Sequence, residues 1–108
     1  MDVNAGTVLT TANITAKGSD GATGTDNGGA GGAVTLTGGT KVVLGGNIDT
    51  SAGANGTAGA GGTVTVASAL ELTGNRTITT GVTAGNIVFN GTVDGDAGQA
   101  FNRTLGLT

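Results

Sequence analysis

The chain has no cysteine, proline, histidine, tryptophan or tyrosine, and phenylalanine, present twice, is its sole aromatic residue. Each absence closes a route. Without cysteine there is no disulfide staple and no thiol for catalysis. Without histidine, Ser19, Ser51 and Ser68 lack the usual base that activates a hydroxyl nucleophile. With only Phe89 and Phe101 there is no aromatic platform for stacking bases or sugars. Charge is also scarce, at 10% of residues, with a net charge of −3 and a pI near 4.3. The four cations, Lys17, Lys41, Arg76 and Arg103, are scattered and form no basic patch, so nucleic acid is a poor partner. No apolar run approaches the roughly 20 residues of a membrane-spanning helix, so membrane insertion is not expected. No signal peptide follows Met1, an absence without weight if the chain is a fragment. Ordinary disorder is disfavoured too, because it draws on high net charge or abundant Pro and Glu.

What is abundant is glycine, 24 of 108 residues, against a usual share of roughly 7%. At 10.0 kDa the chain is one domain, spanning 1–108, or a piece of a longer repetitive protein. Its larger apolar residues are mostly Val, Ile and Leu, enough for a narrow core with a few side chains per layer.

Internal repeats decide the reading of the fold. Gly32-Ala33-Val34-Thr35-Leu36 returns as Gly62-Thr63-Val64-Thr65-Val66 and again as Gly85-Asn86-Ile87-Val88-Phe89. A second series runs Asn13-Ile14-Thr15, Asn47-Ile48-Asp49, Thr77-Ile78-Thr79. Between them falls a third: Val8-Leu9, Val42-Val43-Leu44, Leu70-Glu71-Leu72. Within these pieces apolar residues alternate with Thr or other polar residues, which buries one face of a strand and wets the other. β-branched Thr suits the outer face, and Gly-Gly, Gly-Asn and Thr-Gly punctuate the pieces as turns. The same three pieces in the same order predict an all-β fold, a parallel β-solenoid of about three to four rungs with like strands stacked. A sandwich or meander also accommodates short strands with Gly turns, but it gives no reason for the order to repeat. The first seven residues are too short for assignment.

The spacing between repeats varies mostly at one place, in Gly-rich excursions near residues 18–32 and 51–62. Gly18, Gly21 and Gly24 fall at every third position, as do Gly53, Gly56, Gly59 and Gly62. That period suits extended three-residue-per-turn helices packed closely along their glycine edges. The excursions occupy equivalent places in successive rungs and are expected to stack along one edge. Two flexible Gly/Ser/Ala loops are the alternative. The third repeat has no excursion.

Gly46-Asn47-Ile48-Asp49-Thr50-Ser51 with its Gly-rich sequel, the Gly-Gly-x-Val-Thr pieces, and Gly85 to Gly95 together resemble the repetitive passenger regions of bacterial surface proteins. The group is that of filamentous-haemagglutinin-like and autotransporter adhesins. The resemblance implies a right-handed parallel β-helix, an extracellular or cell-surface location, and a role as stalk, fibre or adhesive scaffold toward a glycan or protein receptor that the sequence does not name. The residues themselves lead to the expectation of no enzyme, no cofactor, no metal ligand and no catalytic residue. Members are rods of many rungs, so a chain this short is expected to self-associate end to end through its open end rungs.

Other chemistry legible in the residues has a plainer explanation beside it. Asp94-Gly95-Asp96-Ala97-Gly98 begins like a calcium loop but lacks the later ligands, and Asp20 and Asp26 lack the spacing of calcium-binding β-rolls. A calcium-stabilised module remains an alternative to solvated turn aspartates. Asp94 and Asp96 also form a carboxylate pair of the kind that hydrolyses sugars, without the aromatic groove such enzymes use. Thr35/Thr37, Thr63/Thr65 and Thr77/Thr79 raise the alternative of an ice-binding solenoid with outward threonine ranks. Asn13, Asn55, Asn75, Asn90 and Asn102 each head an Asn-x-Thr glycan acceptor triplet, which a Thr- and Asn-rich chain also produces by chance.

Overall fold

A computed structural model describes residues 1–96 and 102–108, and all regular structure among them is β-strand. The first coil holds β1 (Asp2–Ala5), β2 (Val8–Thr11) and β3 (Ile14–Thr15). The second holds β4 (Val34–Gly38), β5 (Lys41–Leu44) and β6 (Ile48–Asp49). The third holds β7 (Val64–Val66), β8 (Ala69–Leu72) and β9 (Arg76–Thr79), and the fourth β10 (Ile87–Phe89), β11 (Val93–Gly95) and β12 (Leu105–Leu107). Like strands pair into three sheets, ordered β1-β4-β7-β10, β2-β5-β8-β11 and β3-β6-β9-β12, and every pairing is parallel. The chain is a parallel β-solenoid.

The three sequence series are in register. Val34 lies over Val64 and Val64 over Ile87, Leu9 over Val42 over Leu70, and Ile14 over Ile48 over Ile78. Because strands are pleated, each column keeps its side chains on one side all along the stack. Inward columns make the core: Val34, Leu36, Val42, Leu44, Val64 and Val66 are fully buried, with Ile48, Leu70 and Ile78 scarcely exposed. The alternating burial of Val34–Gly38 and of Lys41–Leu44 follows directly from that pleat. Two fully buried residues are polar. Thr50 and Thr80 are buried one above the other, and the Thr50 hydroxyl donates to the Gly62 carbonyl (2.8 Å), closing the base of the second excursion. Thr11, inward beneath Leu44 and Leu72, carries a buried hydroxyl without a partner among the described residues.

The structure extends the sequence reading at both ends. Asp2–Ala5, within the seven residues too short to assign from sequence, is a strand that pairs with Thr35–Gly38 and completes the first coil. Val93–Gly95 and Leu105–Leu107 complete a fourth. These end coils are barer than the middle ones: Val93 is 40% and Leu107 50% exposed, while their column mates Leu70 and Ile78 are almost wholly buried.

The excursions are packed. Residues 16–33 and 50–63 each run out and back without strand pairing, and their backbone bonds repeat every third residue. Gly29 and Gly32 N–H donate to the carbonyls of Ser19 and Ala16 (2.8 and 2.7 Å), which ties the two legs of the first excursion antiparallel. Gly18 and Gly21 N–H donate to Ser51 and Ala54 (both 2.9 Å), and Gly53 and Gly31 N–H bond Gly29 and Ala60 (both 2.9 Å), which ties one excursion to the next. This is the bonding of extended helices with three residues per turn, whose backbone groups point to neighbours because none can be satisfied within a leg. Glycine is required where the legs meet: a Cβ on Gly53 would run into the Ser19 carbonyl, and one on Gly18 into the Gly29 carbonyl. The second excursion reverses at Asn55-Gly56, both with positive φ (77° and 50°), as in a type I′ turn. In the third repeat, Thr80 to Asn86 crosses directly, leaving Val82 99% exposed.

Candidate functional surface

With the core filled by aliphatic side chains and the excursions by backbone, what remains for function is the outer face of each sheet and the rim of the bundle. No pocket is present among the described residues. Registers determine which outward side chains meet. On the first sheet, Asp2, Thr35, Thr65 and Val88 share one column. The threonine pairs read from the sequence therefore do not form ranks. Thr35 meets Thr65, but Thr37 lies opposite Asn4, and Thr77 and Thr79 stand on the third sheet beside Gly106 and Asp49.

On the second sheet the outward column is Thr10, Val43, Glu71 and Asp94. Lys41 Nζ reaches diagonally to Glu71 (2.7 Å), a half-exposed ion pair between coils two and three. Asp94 stacks next to Glu71 and is exposed. Asp96 is engaged differently: both of its carboxylate oxygens accept from the Arg103 guanidinium (2.8 and 3.4 Å). That hydrogen bond holds the Asp96 carboxyl below its ordinary range and raises Arg103 in turn. The two aspartates of the sequence motif thus do different work, one on the open face and one in an ion pair. Ala97 and Gly98 of that motif, like Phe101, lie outside the described residues. Among the described residues no three carboxylates converge.

Asp20 and Asp26 hold the first excursion. Asp20 accepts the Ala54 N–H (2.7 Å) and faces Lys17 (3.5 Å), and these two contacts, the backbone one foremost, keep its carboxyl lowered. Asp26 accepts from the Thr23 hydroxyl (2.9 Å) across the tip. At the mouth of the second excursion, Asp49 accepts from both the Ser51 hydroxyl (2.6 Å) and the Ser51 N–H (2.9 Å), and these two bonds lower its pKa. Ser68 donates to the Gly38 carbonyl, and Ser19 lies in the bundle, so the three serines are dispersed.

The asparagines proved more structural than the acceptor triplets suggested. Asn13 Oδ1 accepts the Asn47 N–H (2.8 Å), Asn47 Oδ1 accepts the Thr77 N–H (3.0 Å), and Asn75 Oδ1 accepts the Thr104 N–H (3.1 Å). Each links one coil to the next at the corner leading into the third sheet. Asn55 spends its amide nitrogen on the Gly21 carbonyl (2.8 Å), holding the two excursion tips together. The sequence series carry Asn13 and Asn47 ahead of Ile14 and Ile48, but nothing in the sequence alone assigns their side chains to bonds between coils.

The class of the protein is therefore a repeat β-solenoid carrying a glycine-rich lateral bundle. No family model matches the chain, and neither a curated protein nor a solved structure matches it.

Proposed function

We propose that the chain is a non-enzymatic scaffold of the bacterial cell surface, a stalk, spacer or fibre segment of the filamentous-haemagglutinin-like or autotransporter adhesin kind. The observation that supports this most is the unbroken parallel stacking of four coils whose first and last members lack caps among the described residues. Such a stack lengthens by repetition: each added coil contributes one strand to each of three ladders and one layer to the aliphatic spine. The outer face, built from Thr, Asn, Asp and Lys, keeps the scaffold in water. Bare end coils expose both apolar columns and unpaired strand edges, which favours end-to-end self-association.

The location is testable on the source cells. Antibody raised against the chain is expected to label intact, unpermeabilised cells, and brief protease treatment of those cells is expected to remove the signal. Labelling that appears only after lysis would overturn the surface role.

A further inference from the structure

Resting on the self-association just proposed, we infer that the outer face of the first coil is shaped for the fourth coil of a second copy, in the register the chain uses between its own coils. The corner glycines carry this. Gly39 turns the corner between β4 and β5, and a Cβ there would run into the Gly6 carbonyl one coil earlier. Gly46, between β5 and β6, would meet the backbone of Ala12 and Asn13, and Gly91, between β10 and β11, that of Ser68 and Ala69 (2.6 Å to the Ala69 nitrogen). In each case the obstacle belongs to the preceding coil. Gly6 occupies the same corner as Gly39 in the first coil, and a Cβ there meets nothing within 4 Å. Nor does its backbone demand glycine, since Gly56 and Gly81 are the glycines with positive φ among the described residues. The first coil thus has the clearance that later coils need for a neighbour, on a side left open among the described residues.

Continuing the internal registers selects the occupant and its fit. The columns place Phe89 of the second copy against Val3, Val93 against Leu9, Gly95 against Thr11 and Leu107 against Ile14. Sizes complement each other across the joint: the large Phe89 meets the smaller Val3, the larger Leu9 and Thr11 meet Val93 and Gly95, Leu107 meets Ile14 of equal size, and the Asn90–Thr92 corner falls beneath Gly6. Phe89 and Leu105 are already packed on the core from one side, while Val93 and Leu107 stand exposed. The joint repeats the coil-on-coil interface already formed three times within the chain.

A disulfide between copies tests this register. Thr10 and Asp94 point outward at opposite ends of one column, three coil steps apart. At about 4.8 Å per step they are roughly 14 Å apart within a chain, well beyond the ~7 Å between Cα atoms that a disulfide tolerates. In the docked pair they become direct neighbours. The chain has no cysteine of its own, so a Thr10→Cys/Asp94→Cys variant reports cleanly. Under oxidising conditions it is expected to give a ladder of covalent dimers, trimers and higher species on non-reducing gels, with reduction restoring monomer. Adding Gly6→Leu is expected to abolish the ladder while leaving the melting temperature of the dilute chain unchanged, whereas Gly39→Leu lowers it. Monomer alone in the double-cysteine variant overturns the proposal, as does a ladder that survives Gly6→Leu. Equal dimer from Thr10→Cys alone shows that like ends meet and also overturns it. Because surface labelling is read independently on cells, the scaffold role can stand when this joint fails.

Discussion

The aliphatic spine and the glycine-rich bundle exclude water from the same molecule in opposite ways. In the spine, backbones are held apart by strand pairing, and Val, Leu and Ile fill the space between three sheets. In the bundle, backbones approach until nothing larger than hydrogen fits at Gly18, Gly28, Gly31 or Gly53, and stability comes from N–H to carbonyl bonds between legs. The lesson is that one fold has a region intolerant of losing atoms beside a region intolerant of gaining them.

That contrast predicts mutations of opposite chemistry. Leu44→Ala, which empties a fully buried position, is expected to cost about 2–5 kcal/mol, read as a lower midpoint in urea unfolding. Gly53→Ala adds a single methyl against the Ser19 carbonyl and is expected to cost about 1–3 kcal/mol. Its partner is Gly24→Ala, in the same bundle but with open space around the new Cβ, which is expected to be neutral or slightly stabilising. Equal effects of Gly53→Ala and Gly24→Ala in thermal melts would show that the legs do not pack as closely as described. The smallest effect concerns acid. Asp20, Asp49 and Asp96 are all held below the ordinary value of 3.8 by bonds made only when folded. A lowered carboxyl contributes stability that is complete above its unfolded value and disappears as pH falls through the folded one. Thermal stability is therefore expected to decline modestly below about pH 4. Asp49→Asn should flatten that decline, and an unchanged acid slope in this variant would remove Asp49 from the account.

Sequence legibility followed the same division. The columns Val34–Val64–Ile87 and Ile14–Ile48–Ile78 were readable because burial permits only aliphatic residues there, so the repeat survives in the letters. The period-three glycines were readable because close backbone approach permits only one residue. The end coils were harder. Val3, Ala5 and Val93 are covered on one side at most, so little in their surroundings imposes a pattern. The roles of Thr50, Thr80 and Asn47 were not legible, since a threonine that buries its hydroxyl against a carbonyl looks like any outward threonine of a strand. Nor was the fate of the Thr-x-Thr pairs: their spacing along the chain is regular, but their register across coils depends on the lengths between paired residues, which differ between Thr37–Thr40 and Ala67–Ser68.

The molecule measures 50 × 29 × 19 Å, and the four stacked coils, about 4.8 Å apart, account for the shortest of these dimensions. Taken singly it is a plate lying across the direction in which a solenoid grows. Between Gly38 and Ser68 the chain spends 30 residues to advance one layer, whereas an α-helix climbs about 1.5 Å with every residue. Reach is thus very costly in polypeptide for this architecture. A long span in this architecture takes either an enormous single chain or many small plates tiled face upon face.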